Sequence, residues 1–365
     1  MTVDLIVHAQ KSASGSLIRL LESLKKADYF SSTHPRLTVE LPNEIDEPTK
    51  QYLLNRFKWP PTENQNGPNL LALHHRIPQH GLTVEENSIR FLESFWPADP
   101  ANSHVVVLSP QAEVSPFFFH YLKYAMLEYK YSTRQYDATA LLGISLNLPS
   151  TYLNDSTVFN PPLSKKLATP FLWQQPNSNA ALYFGDRWVE LHDLVSRILT
   201  SQKKLPNSKI LGTKEVSKTY PSWLEHILKL ARARGYVTLY PNFESVDSLV
   251  SLHNDLFRLP DEFTKKPTGA PNGELGADVK EHLSLKHKER PLVTSGFINY
   301  IKDGGKLPLL VDLPMIGFDG KTIDSSGLDS DAQEFADVFR KEIGGCDEKA
   351  KPKDMILGQT GDLFC

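Results

Sequence analysis

The sequence predicts an α/β fold, with a mixed, mostly parallel central sheet flanked by helices and an irregular C-terminal extension. Three observations lead there. Short β-branched runs alternate with amphipathic helical segments along the chain, the order that builds parallel sheets. Val105-Val106-Val107-Leu108 is apolar without alternation, as expected of a strand covered on both faces. Beyond Pro260 the composition turns to Lys, Pro and Gly, with the charge run Lys286-His287-Lys288-Glu289-Arg290, and reads as an extended tail with some disorder. Residues 1–263 are therefore expected as one domain and residues 264–365 as a loop-rich extension holding at least one helix, Asp331 to Ile343.

Taken in order, Leu5 to Ala9 reads as a strand and Lys11 to Ser16 as the turn leaving it. Leu17, Leu21 and Leu24 then give one apolar helix face. Leu37 to Leu41 is a second strand, Pro48 to Phe57 a helix and Leu70 to Leu73 a third strand. His74, His75, Arg76 and His80 gather in the next loop. The adjacent histidines lack metal-ligand spacing, so they read as solvated residues, while Arg76 suits an anionic ligand. Thr83 and Glu86 form a capping box for a helix burying Ile89, Leu92 and Phe95.

The strand Val105 to Leu108 must stop before Pro110, and Ser115-Pro116 opens the next helix. Gln111 and Glu113 thus fall at the carboxyl end of a central strand, where open α/β sheets take ligands. Ala138 to Leu146 is another strand, and Pro149 to Ala168 a loop with a sequon at Asn154-Asp155-Ser156. Phe171 to Phe184 is an amide-rich loop running into a strand. Its Asn, Gln and Ser side chains suit a hydroxylated ligand and suit ordinary turns equally well. Tyr220 to Ala231 forms a helix ended by Gly235, Tyr236 to Tyr240 a strand, and Val246 to Phe257 a short helix carrying His253.

Composition narrows the functions. Forty basic against forty-three acidic side chains, with no long basic block, argue against a nucleic-acid partner. Cys346 and Cys365 both lie in the extension, leaving the core without a disulfide or zinc pattern, a usage that fits the cytosol without excluding the secretory lumen. No apolar run reaches membrane-spanning length. Met1 runs almost directly into a strand, which reads as a chain cut at a domain boundary, with any anchor outside it.

Together, Ser16 to Leu24, Gly81 to Asn87, Val105 to Phe119, Pro176-Asn177-Ser178-Asn179 and Tyr220 to Glu225 resemble the GT-A (Rossmann-like) nucleotide-sugar glycosyltransferases, in particular fungal proteins of the glycosyltransferase family 2-like group. The resemblance implies sugar transfer from a nucleoside diphosphate sugar, a UDP-sugar foremost, to a hydroxyl on a glycan or glycoprotein, with inversion, in the Golgi. It implies Glu225 as the base that deprotonates the acceptor. His8, Ala9, Lys11, Glu40, Arg76, Ser109, Gln111 and His253 would line the donor nucleotide, and Asn177, Asn179 and Trp223 the acceptor sugar.

In that family an acidic DXD-type turn binds manganese or magnesium on the diphosphate. Here the turn reads Ser109-Pro110-Gln111, so Gln111, Glu113 and His253 remain as candidate ligands and a metal-independent enzyme is expected. Arg76, Lys11 and Arg187 would then carry the leaving-group charge. The alternative is a non-catalytic sugar- or nucleotide-binding or scaffolding module of the same shape. A nucleotide enzyme of another kind has less behind it, because Ala13-Ser14-Gly15 lacks both the dinucleotide and the Walker spacing.

Overall fold

A computed structural model gives the fold for all residues except 10–13, 31–33, 62–68, 76–87, 134–139, 154–156, 163–168, 205–220, 244–246, 254–289, 297, 299–300, 302–304, 348–353 and 357, together with the side chains of 202–204. The Thr83–Glu86 capping box, the sequon, Lys11 and Arg76 lie outside the described residues.

The strands are β1 (Thr2–His8), β2 (Leu37–Leu41), β3 (Leu71–His75), β4 (Ser103–Leu108), β5 (Ala112–Val114), β6 (Leu141–Ser145), β7 (Phe171–Trp173), β8 (Ala180–Tyr183), β9 (Val237–Tyr240), β10 (Val250–Leu252) and β11 (Met315–Ile316). Nine of them form one sheet, in the order β11-β7-β9-β6-β8-β4-β1-β2-β3. The segment β3-β2-β1-β4 is parallel throughout, and β8 enters antiparallel between β4 and β6. Strands β6 and β9 resume the direction of β4, and β7 and β11 oppose it. Gly143 permits the close β6–β8 approach, since a Cβ there would lie 2.0 Å from the Leu182 carbonyl oxygen.

Among the described residues six α-helices flank the sheet: α1 (Ser14–Lys26), α2 (Glu47–Asn55), α3 (Phe118–Tyr129), α4 (Gly185–Lys204), α5 (Ser222–Arg234) and α6 (Ser325–Glu342). Period-2 alternation sorts the strands between two cores. Leu5, Val7, Val106 and Leu108 join Leu17, Leu21, Leu122 and Met126 on one face, whereas Ile6, Val105 and Val107 join Trp188, Leu191, Trp223 and Phe339 on the other. Burial on both sides explains why β4 shows no polar residue between Val105 and Leu108.

The structure differs from the sequence reading at several points. Val250–Leu252, directly before His253, is strand rather than helix, because Val250, Ser251 and Leu252 pair antiparallel with Val114, Glu113 and Ala112. Strand β5 itself interrupts the expected loop before α3, and β7 opens the expected amide-rich loop. Gly185 to Lys204 is a long helix whose apolar face holds Trp188, Leu191, Leu194, Val195 and Ile198. The extension is also bound to the first domain: β11 adds to β7, and α6 packs on α5. Helix α6 starts six residues before the expected Asp331, where the Asp324 carboxylate accepts the Gly327 N–H at 2.8 Å as its N-cap.

Two histidines make the fold sensitive to acid. His104, with no exposed surface, accepts the Gly185 N–H on Nδ1 at 3.1 Å, and its Nε2 faces the Tyr131 hydroxyl, which donates to the Ala101 carbonyl. A neutral ring with Nε2–H satisfies this chain, whereas a protonated one would set N–H against N–H. Burial, helped by Lys130, pushes the His104 pKa down to about 4, and burial does the same for His8 against the pull of Glu40. Between pH 6.5 and 4 the unfolded histidines bind protons that the folded ones refuse, so stability falls as acid is added, by roughly 3 kcal/mol from His104. Urea midpoints at pH 7, 5.5 and 4.5 should drop in that order; a flat series would contradict it.

Candidate functional site

The strand order reverses direction between β1 and β4, with β2 and β3 on one side and the later strands on the other. Such a switch opens a crevice outside the carboxyl ends of the two strands. His8 and Ala9 end β1, Glu40 lies near the end of β2, and Ser109 follows β4. The N-terminus of α1, without acidic residues in its first turn, starts at the same edge.

Several of the expected donor residues are engaged with one another. The Glu40 carboxylate takes His74 Nδ1 at 2.7 Å and the Ser94 hydroxyl, so it is held within the sheet edge. Ala9 extends the ladder by donating its N–H to the Glu40 carbonyl at 2.9 Å. His8 stacks on Phe91, their ring centroids 5.0 Å apart.

The end of β4 is different. The Ser109 N–H is donated to the Asn179 carbonyl at 2.7 Å, and the Ser109 hydroxyl caps the turn by accepting the Gln111 N–H. The side-chain amides of Gln111 and Asn179 have no partner among the described residues. The Gln111 carbonyl accepts the His253 N–H at 3.0 Å, which fixes the distant histidine against the turn. From there β5 and β10 form a two-stranded sheet in which Glu113 opposes Ser251. Alternation sends Ala112, Val114, Val250 and Leu252 inward, and β5 packs against α1. Glu113, Ser251 and His253 share the other face, where Glu113 Oε2 lies 2.7 Å from His253 Nε2. A groove of about 630 Å³ opens on this face, lined also by Asp247, Arg290 and Thr294.

This donor set does not fit a tightly held divalent cation. Glu113 and His253 spend their facing atoms on each other, Gln111 supplies no charge, and no group of three metal-ligating side chains exists among the described residues.

Four expected roles need correction. Trp223 is 1% exposed and packs between Phe91 and Tyr183 in the core, so no ring face remains for a sugar. Asn177 donates to Ser145 Oγ and Asn147 Oδ1 and accepts the Asn179 N–H; it closes the loop rather than facing a ligand. Arg187 is buried over the Tyr236 ring, bonded to the Leu141 carbonyl and the Tyr236 hydroxyl. Glu225 is 5% exposed, and Lys229, one turn along α5, donates to it at 2.8 Å, so the carboxylate is shut in an ion pair rather than presented to solvent.

Sequence reasoning missed Arg290, which it left in the charged tail. A local sign was present: Pro291 holds the residue before it extended, and the apolar Leu292-Val293 follows directly.

The fold and site thus define an α/β protein with a mixed, mostly parallel sheet and a polar groove on the small β5–β10 sheet that follows β4. The chain matches the family described as "SPBC1E8.03c C-terminal domain" over residues 15–204, just over half of its length, and it belongs to that family. No curated protein matches it.

Proposed function

We propose that the chain is a GT-A-type glycosyltransferase that takes a nucleoside diphosphate sugar at the carboxyl ends of β1 and β4 and passes the sugar to a hydroxyl acceptor without a metal ion. The observation that carries this reading is the β4 turn, where the amides of Gln111 and Asn179 stand unengaged among the described residues and the Gln111 carbonyl holds His253, a residue of the groove shared with Glu113. The backbone bond from His253 to Gln111 supports it further, because the resemblance to GT-A enzymes puts a downstream histidine beside the diphosphate.

In a single in-line displacement the acceptor oxygen bonds to the anomeric carbon as the bond from that carbon to the phosphate oxygen breaks. The electron pair leaves with the diphosphate, and the acceptor proton passes to a carboxylate. Glu113, a third exposed, and Asp247 are carboxylates of this groove that solvent reaches, whereas Glu225 is closed off by Lys229. The disulfide between Cys346 and Cys365 is in keeping with an oxidising compartment such as the secretory lumen. No helix among the described residues is long and apolar enough to cross a membrane.

A thermal-shift panel of nucleoside diphosphates, run with manganese and with chelator, tests the reading. Uridine diphosphate should raise the melting temperature by about 2 °C or more at saturating concentration, equally in chelator. No shift with any nucleotide would overturn it.

A second reading has the Glu225–Lys229 pair in its favour, since the carboxylate matching the family's base is not available in this structure. It is a nucleotide-sugar-binding module of transferase shape. Stabilisation by uridine diphosphate with no sugar transfer and no donor hydrolysis selects it.

A further inference from the structure

Arg290, which ends the charge run, is anchored through its backbone and the residues after it. Its N–H is donated to Ser251 Oγ at 3.2 Å. The chain after it is fixed by Ser248 N–H to the Pro291 carbonyl, Val293 N–H to the Ser248 carbonyl and Ser115 Oγ to the Val293 carbonyl. Val293 is fully buried beneath. These bonds hold Arg290 on the wall of the groove shared with Glu113 and His253.

The guanidinium itself is half-buried and has no hydrogen-bond or ion-pair partner among the described residues. That is an unusual state for arginine, which carries five donors and is seldom withdrawn from water unpaired. Arg234, by contrast, binds two carboxylates. Burial holds the Arg290 pKa below the ordinary arginine value; a guanidinium in a protein keeps its proton. A half-desolvated cation with its donors unused is a site prepared for an anion, and a planar fork fits phosphate oxygens.

Resting on the reading above, we infer that Arg290 binds the diphosphate of the donor and supplies the positive charge that the Ser109-Pro110-Gln111 turn cannot hold through a metal. The other groove residues refine the ligand class. Glu113 and Asp247 would repel a bare anion and accept hydroxyl protons, so the groove suits a molecule with both phosphate and sugar hydroxyls better than inorganic pyrophosphate.

Isothermal titration in buffer with chelator, using uridine, uridine diphosphate, a uridine diphosphate sugar and pyrophosphate as probes, tests this on wild type, Arg290→Gln and Arg290→Lys. Wild type should bind the sugar nucleotide more tightly than uridine diphosphate and pyrophosphate least. Arg290→Gln should weaken uridine diphosphate and its sugar by about 10- to 100-fold, leave uridine unchanged and keep the wild-type melting temperature. Arg290→Lys should recover part of the loss. Wild-type affinity in Arg290→Gln would overturn the role of Arg290 alone and leave the donor-binding reading intact. A wild type that binds no uridine nucleotide would overturn both. A fall in uridine affinity equal to that for uridine diphosphate would reduce Arg290 to a structural residue.

Discussion

Replacing Lys229 with methionine lowers the unfolding free energy by about 3 kcal/mol or more, because it leaves the Glu225 carboxylate buried without its ammonium. The pair lies one turn apart on α5, both residues are almost fully buried, and Nζ to Oε1 is 2.8 Å. Glu225→Gln should also destabilise, through the ammonium left without its counter-charge. The double change Glu225→Leu with Lys229→Met should regain much of the loss, since an apolar pair avoids the desolvation of both charges. Urea melts of the four proteins measure this directly. A Glu225→Gln protein as stable as wild type that has lost sugar transfer would instead restore Glu225 as the acceptor's base.

Arg234→Ala should cost about 3–5 kcal/mol, as expected for breaking a buried ionic group. Its Nε meets Glu190 at 2.7 Å, its two terminal nitrogens meet both oxygens of Asp362, and one also donates to the Gln359 carbonyl. Burial alone would lower the Arg234 pKa, but Asp362 and Glu190 outweigh it and raise it. The same guanidinium ties the last residues to α4 and α5, with Asp193 accepting from Thr360 beside it. In the variant, limited proteolysis should cut between Cys346 and Cys365 sooner than in wild type. The disulfide would keep the fragment attached until reductant is added. An unchanged urea midpoint and unchanged cleavage would show that the network adds nothing.

The central sheet was legible because its main strands are short stretches rich in Leu, Val and Ile between turn-forming segments. Val105 to Leu108, Leu37 to Leu41 and Leu141 to Ser145 announce themselves without neighbours. Strands β5, β7 and β10 have three residues each, too few for period-2 alternation to be told from loop or helix, and it is their pairing that makes them strands. For the site, the end of β4 could be located from the proline after the strand, and Gln111, Glu113 and His253 were each singled out; that Glu113 and His253 face one groove depends on long-range pairing. Trp223, Asn177 and Glu225 have the residue types of ligand contacts, but tertiary packing consumed their polar and aromatic surfaces. The Glu225–Lys229 spacing of four on a helix was readable as an ion pair; its burial was not. Arg290 went unnoticed because a charge run reads as solvated until a wall of hydrogen bonds fixes one of its members.

The most direct measurement of the central claim is a crystal structure of the protein grown with uridine diphosphate in chelator. The account predicts the diphosphate between the Ser109–Gln111 turn and the Arg290 guanidinium, with the uridine over the carboxyl ends of β1 and β2. Nucleotide bound elsewhere on the molecule, or held only when manganese is restored, would contradict it.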